Sequence, residues 1–392
     1  MQDFSTNILV IGKTGVGKSS LLNFLFGEER AAVGTGKPVT GEGIHNYPEF
    51  FHGKMRVTIY DSWGLEPDKA TRWKQIIQAE IRRHDCRNVR DWFHTIIYCV
   101  DCKRARIENF ETTDIIRPLV DAGNRIIFAL TKSDIASPDE REAISRVLRE
   151  EWPDLPQVNI CSVRQTLRGG KVREPFGREE LFGSVCDNLY TNLLSKLVEN
   201  FRITALDSMQ DAIDHTMQEF DKRAGMFTRY DEKFFIKMRS YLINDLIRLH
   251  NGLQGQFITN LRDIRELEAG MLSSLKGIDY EEILRKIQLP FDDSMYRPIT
   301  ANGDNLFDLF LFGNLLPVPG PLPLIVFPFW FALPFRKKKI RAVLHRECVN
   351  LVSEITKSFL DNIGRLKNEL NLSDNRDMDT FAETFYNTFF KN

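Results

Sequence analysis

The sequence predicts an α/β domain over residues 1–197 followed by an all-α helical domain over 198–392. At 392 residues the chain exceeds what one hydrophobic core usually supports, so two domains are expected from size alone. The first half carries short apolar runs that end in glycine- or aspartate-bearing loops, the first of them passing into a helical pattern. The second half carries long stretches in which apolar residues recur at three and four. Phe235, Met238, Tyr241, Leu242, Leu246 and Leu249 are one such stripe, the mark of an amphipathic helix.

With 42% hydrophobic and 27% charged residues, the chain has enough apolar material for real cores and no bias toward disorder. Lys+Arg at 53 against Asp+Glu at 54 gives a net charge of -1, a poor footprint for a protein that wraps nucleic acid. The six cysteines stand mostly in apolar runs, and Cys99 and Cys102 have no second ligand pair nearby. They read as reduced packing thiols rather than a disulfide or zinc framework. The chain enters its apolar run 7–11 without the basic and long apolar regions of a secretory signal, so synthesis into the cytosol is expected.

Residues 8–11 read as the first strand. Gly12, Lys13, Thr14, Gly15, Val16, Gly17, Lys18 and Ser19 follow, and a helical pattern begins at Ser20. This is GxxxxGK[ST] in the strand, loop and helix setting the motif requires. Glycines let backbone N–H groups curl round phosphates, and the helix points its positive end at them. Lys18 then reaches the β- and γ-phosphates and the Ser19 hydroxyl ligates magnesium. These residues, with Ser20, are the expected phosphate cradle.

Residues 55–60 alternate and end in Asp61-Ser62-Trp63-Gly64, a D-x-x-G at a strand end. There Asp61 would approach magnesium through water and Gly64 would donate its N–H to the γ-phosphate. The buried-strand run 125–130 leads into Thr131-Lys132-Ser133-Asp134, an [NT]KxD element. Guanine presents a ring N–H and an exocyclic amine to a carboxylate, and adenine cannot supply that pair, so guanine specificity rests on Asp134. Another short strand, 157–160, precedes Cys161-Ser162-Val163, a weak S-A-x loop in which Ser162 and Val163 would support the base. In the stretch 34–40, Thr40 is the expected magnesium and γ-phosphate sensor and Thr35 the alternative. Lys18, Thr40 and Gly64 are therefore the expected catalytic residues, and Ser19, Thr40 and Asp61 the expected metal ligands.

In order and spacing, these elements resemble the translation-factor-related GTPases. The runs GKTGVGKSSLLNFLFG and GKPVT are most similar to the Era, septin and immunity-related side of that class. The resemblance covers about residues 5–195. It implies a P-loop GTPase domain with a mostly parallel sheet flanked by helices and the nucleotide at the carboxyl ends of the strands. It also implies GTP hydrolysis with Mg2+, and a homodimer formed through this domain or a partner protein as the source of any group the site lacks. Two departures bear on mechanism. Leu65 stands where Ras-like enzymes carry a water-positioning glutamine, and Gly15 where potassium-activated relatives carry asparagine. Intrinsic hydrolysis is expected to be slow unless another group helps. Lys13, Arg104 and Arg106 are candidate donors, although solvated surface charge is the favoured reading of each.

Helical patterns cover 181–197, 201–223, 231–275, 280–287 and 338–370. The stretch 306–335 breaks them, with Asp308 its only charge and prolines at Pro317, Pro319, Pro321, Pro323, Pro328 and Pro334. Each apolar arm around the prolines is shorter than the roughly 20 residues of a spanning helix, so a re-entrant or interfacial hairpin fits better than a straight crossing. Trp330 and Phe331 would sit at headgroup level. Arg336, Lys337, Lys338 and Lys339 would meet anionic lipid at about 1 kcal/mol per cation. A buried core strip and a protein-binding patch are the alternatives. The expected protein is thus a GTPase that binds GTP and GDP, cytoplasmic or peripheral on the cytoplasmic face of a membrane through 306–341. A soluble nucleotide-dependent scaffold and a ribosome- or RNA-associated assembly GTPase are the rival readings. Nucleic acid is not expected as a partner, because no GXXG clamp and no strongly basic module appears.

Overall fold

The computed structural model describes residues 4–31, 43–66, 69–85, 88–104, 107–166, 172–187, 189–225, 228–276, 279, 281–282 and 333–370. Strand β1 (Phe4–Gly12) carries Ile8, Leu9, Val10 and Ile11, four consecutive side chains with no exposed surface. Burial on both faces is what a central parallel strand requires. It pairs in parallel with β4 (Met55–Ser62) on one side and β5 (Thr95–Asp101) on the other. β6 (Ile126–Thr131) and β7 (Gln157–Asn159) continue the parallel order beyond β5. β2 (Ile44–Asn46) and β3 (Phe50–His52) run antiparallel along the outer edge of β4. The mostly parallel sheet therefore reads β2-β4-β1-β5-β6-β7, with β3 also on β4.

Helices α1 (Lys18–Phe26), α2 (Ala70–Asp85), α3 (Arg117–Asp121), α4 (Pro138–Glu151) and α5 (Arg178–Asp187) supply the connections. A π-helical turn, Glu111–Ile116, leads into α3. α4 starts where local chemistry dictates: Ser137 and Glu140 form a reciprocal capping box with Pro138 in the first turn. A two-stranded hairpin, β8 (Gln165–Thr166) with β9 (Val172–Arg173), stands apart from the main sheet and has no counterpart in the sequence expectations. One core cluster joins Leu9, Ile11 and Phe128 of the sheet to Trp63, Leu65, Trp73 and Ile77.

Three long helices follow: α6 (Leu189–Arg223), α7 (Glu232–Lys276) and α8 (Leu333–Leu370). The expected interruption between 197 and 201 does not occur. Val198, Glu199 and Asn200 contain no glycine or proline stop, and α6 runs through them. By residue contacts the chain divides into Met1–Leu197 with Arg262–Ile287, and Val198–Leu261 with Gln288–Asn392. The sequence expectation put 262–287 with the helical part. Instead Asp263 accepts from Arg90 at 3.1 Å and Asn88 at 2.5 Å, and Glu266 pairs with Arg90, all inside the first unit.

Also in the first unit, Lys196 of α6 is buried, with Asp85 at 2.7 Å, the Asn124 amide oxygen at 3.0 Å and the Phe93 carbonyl at 3.2 Å. In the second unit, α8 buries Ile340, Leu344, Cys348, Val352, Ile355, Phe359 and Ile363, a stripe at three- and four-residue steps. Phe359 lies 5.7 Å from the Phe201 ring and Phe201 lies 6.5 Å from Phe257, so all three helices share that core. Of the expected segment 306–335, residues 306–332 lie outside the described residues, as does most of 280–287. Among the described residues, no helix is long and apolar enough to cross a membrane.

Candidate functional site

The carboxyl ends of β1, β4, β5 and β6 bring four loops together. After β1, Gly17 takes φ +99°, a left-handed conformation that costs glycine little, and becomes the N-cap of α1. No side chain caps that end. The first N–H groups of α1 are thus without a side-chain cap, an arrangement with which a helix N-terminus can receive an anion. The Lys18 ammonium is buried inside the loop and donates to the Gly12 carbonyl at 3.0 Å and the Lys13 carbonyl at 3.1 Å. Burial lowers its pKa, and the nearby Asp61 carboxylate draws it back upward.

The loop after β6 is stapled to the same cradle. Thr131 donates its hydroxyl to the Val16 and Val100 carbonyls. Lys132, at φ +56°, donates to the Gly15 carbonyl at 2.9 Å and to Asp101 at the end of β5 at 2.7 Å. The structure therefore places Thr131 and Lys132 against the glycine-rich loop across a sequence separation that no local pattern reveals. Asp134 follows, its carboxylate only 6% exposed and paired with Arg173 at 3.0 Å. Ser162 is half-buried and Val163 half-exposed after β7. The Cys161 carbonyl and N–H both pair with Phe176.

Asp61, next to last in β4, is fully buried and level with Val10 of β1. Ser19 lies half-buried in the first turn of α1. A hydroxyl and a carboxylate are hard oxygen donors of the kind Mg2+ takes, so the chemistry of this donor set fits that ion. Thr40 and Thr35, the expected sensor and its alternative, lie outside the described residues, as do Arg106 and Cys86.

Gly64 lies against the glycine-rich loop. A Cβ there would fall 2.7 Å from the Thr14 Cα, so only glycine fits. The next residue is tied more firmly still. Leu65 donates its N–H to the Gly12 carbonyl at 3.1 Å and accepts from the Thr14 N–H at 3.1 Å. Its side chain is 1% exposed, in the core beside Trp63 and Trp73. The Thr14 hydroxyl beside it is buried with no hydrogen-bond partner. Leu65 thus neither carries a polar group nor faces the site.

Of the candidate accessory cations, Lys13 and Arg104 lie among the described residues. Lys13 is held by Glu111 at 2.6 Å and Glu108 at 2.9 Å, and Glu111 also accepts from the Tyr98 hydroxyl at 2.7 Å. Its charge is already compensated. Arg104 lies over Gly15, exposed, with Asp101 at 3.7 Å. Asp101, Glu111 and Arg173 were not singled out by the sequence. Asp101 was the most accessible of them, a lone carboxylate closing an apolar strand run. The described residues contain no cluster of three or more His, Cys, Asp or Glu able to hold a metal, and their five cysteines are free and buried.

The fold and the convergence of these loops define a P-loop GTPase domain, followed in the chain by a helical region. Residues 7–132 match the family model described as 50S ribosome-binding GTPase. Among curated proteins, the chain is 27% identical over 158 residues to GTPase Der of Mycobacterium avium (strain 104), covering 40% of this chain and 32% of that protein. It is 28% identical over 143 residues to Translocase of chloroplast 108 of Physcomitrium patens, covering 35% of this chain and 14% of that protein. The chain thus spans a third or less of the length of these two relatives. Among solved structures, it is similar to Toc33 from Arabidopsis thaliana in complex with Mg2+ and GMPPNP, at 17% identity and a TM-score of 0.36, covering 48% of this chain and 85% of that one. It is also similar to Aquifex aeolicus Era bound to GDP.AlF4-, at 18% identity and a TM-score of 0.35, covering 51% of this chain and 67% of that one.

Proposed function

We propose that this protein binds GTP with Mg2+ and hydrolyses it to GDP and phosphate, using the γ-phosphate to set switch loops that act on the helical region. The observation that carries the reading is the junction of three separate sequence elements: Lys18 beside Asp61, and the Thr131–Lys132 loop stapled to Gly15 and Val16. Lys18 and the free end of α1 receive the β- and γ-phosphates, and Asp134 reads the guanine edge. Ser19, Asp61 and Thr40 would hold Mg2+, which neutralises charge on the β- and γ-phosphate oxygens when bound. Gly64 donates its N–H toward the γ-phosphate. With Leu65 buried, no side chain at that position orients the attacking water, so basal turnover is slow and rises when a second copy or a partner adds a polar group. Single-turnover hydrolysis at increasing protein concentration tests this. A rate that climbs with concentration, and is lost in Lys18→Ala, supports it; no phosphate release at any concentration leaves only a nucleotide-dependent scaffold.

The output we propose is contact with an anionic membrane surface, at its cytoplasmic face, through 306–341. It is supported by the apolar run 306–335 and the basic residues after it, of which Lys338 and Lys339 are exposed on α8. Lys337 and Arg341 reach Asp221 of α6 and are less free to meet lipid. Co-sedimentation with anionic vesicles in GTP-analogue, GDP and nucleotide-free states tests it, with Arg336, Lys337, Lys338 and Lys339 neutralised in a variant. Absence of vesicle binding in every state removes the membrane reading. The description of the matched family favours a second reading, association with the large ribosomal subunit, which the same sedimentation assay with ribosomal particles would detect.

A further inference from the structure

A carboxylate with 6% exposure needs hydrogen-bond donors to remain charged. Asp134 obtains one from the Arg173 guanidinium, 3.0 Å from Oδ2. The Cys161 thiol lies against the same carboxylate; burial pushes that thiol's pKa up and the neighbouring Asp134 charge adds to the effect. Arg173 is 39 residues away in sequence and reaches Asp134 only because the chain folds back in a closed excursion. Cys161 and Phe176 exchange backbone hydrogen bonds of 3.1 and 3.0 Å at its base. Gln165 pairs with Arg173 and Thr166 with Val172 in the hairpin above, and Arg164 bridges to Glu174 at 2.9 Å on the flank.

We infer that Arg173 is a positioning residue for the guanine-reading carboxylate and tightens the preference of the site for guanine. This rests on the guanine-nucleotide reading above. A carboxylate has about four lone-pair sites, so one donated bond at Oδ2 leaves room for the two donors of the base. The guanidinium restrains rotation of the carboxylate before the base arrives, and the alignment needed for a two-point contact is made in advance. Hypoxanthine offers the same ring N–H as guanine without the exocyclic amine. The ratio of GTP to ITP affinity therefore reports how well the carboxylate is aligned.

The test is equilibrium binding of GTP and ITP to the full chain, for wild type, Arg173→Ala and Arg173→Lys, with a thermal melt of each nucleotide-free protein as the folding control. Arg173→Ala is expected to weaken GTP roughly tenfold, the scale of one charge-assisted hydrogen bond, and ITP by less, so that the preference narrows. Arg173→Lys keeps the charge but loses the planar fork, and recovers part of the preference. Equal weakening of both nucleotides, or no change in either, overturns the inference. Tighter GTP binding by Arg173→Ala also overturns it, since Arg173 would then be competing with the base. Wild type that binds neither nucleotide removes the guanine reading itself, and this inference with it.

Discussion

Lys196→Met should be among the most damaging single changes in the first unit, for a reason visible in the pair it breaks. The side chains of Lys196 and Asp85 are 3% and 13% exposed, and their charged atoms are 2.7 Å apart. Burial pushes the Asp85 carboxyl up and the Lys196 ammonium down, in each case against the attraction of its partner. Desolvation thus outweighs the mutual attraction, and neutralising both members should hurt far less than neutralising one. Removing Lys196 alone leaves the Asp85 charge, the Asn124 amide oxygen and the Phe93 carbonyl without their buried donor. The expected cost is about 3–5 kcal/mol. In Lys196→Met with Asp85→Asn, at least half of that should return. Urea unfolding followed by tryptophan fluorescence is the assay, because the Trp92 ring lies 5.7 Å from the Lys196 ammonium and reports on this site. The midpoint should fall in the single variant and recover in the double at unchanged slope. A single variant that costs less than about 1 kcal/mol, or a double variant no more stable than the single, refutes the reasoning.

Burial lowers the pKa of His94 and of His250 to about 4, so each is neutral in the folded protein at pH values where the unfolded chain already binds a proton. Their contribution is complete above about pH 6.5 and is lost as pH falls toward 4, by up to about 3 kcal/mol each; denaturation at pH 7 and pH 5 should register about 2 kcal/mol of that for each. Leu65→Gln is expected not to accelerate hydrolysis, because position 65 points into the core; burying the amide should instead destabilise the fold by about 1–3 kcal/mol, seen as a lower melting temperature. Phe359→Ala should cost about 3–5 kcal/mol through the cavity left among α6, α7 and α8, read by loss of helical signal in a urea titration.

The glycine-rich loop, Asp61 to Gly64 and Thr131 to Asp134 were legible because each is a contiguous run whose chemistry fixes its spacing. The strands beneath them were legible because central parallel strands are apolar throughout, as in 8–11. Arg173 was invisible for the opposite reason. It sits in a two-residue strand with no periodicity, and its value comes from a partner brought close only by the fold. Lys13 shows a related limit. Solvated surface charge was the favoured reading of its side chain, whereas Glu108 and Glu111 pair with it. The helical stripes of the second half could be read as helices, but α6 crosses the expected boundary because no residue at 198–200 tells a helix to stop.

The way the chain revisits its first unit bears on how that unit could be isolated. Its final piece, from Arg262 onward, is separated from Leu197 by a long helical stretch assigned elsewhere. A fragment cut at 197 would hold every nucleotide motif and still lack Asp263 and Glu266. Arg90 and Asn88, just beyond the end of α2, would lose the carboxylates that hold them. Because α2 begins a few residues after Gly64, such a fragment would keep the nucleotide motifs while α2 was improperly anchored at its far end. Kinetics measured on the prefix alone would then describe a loosened machine, and a fragment rejoining 1–197 to 262–276 through a short linker would be the fairer minimal unit.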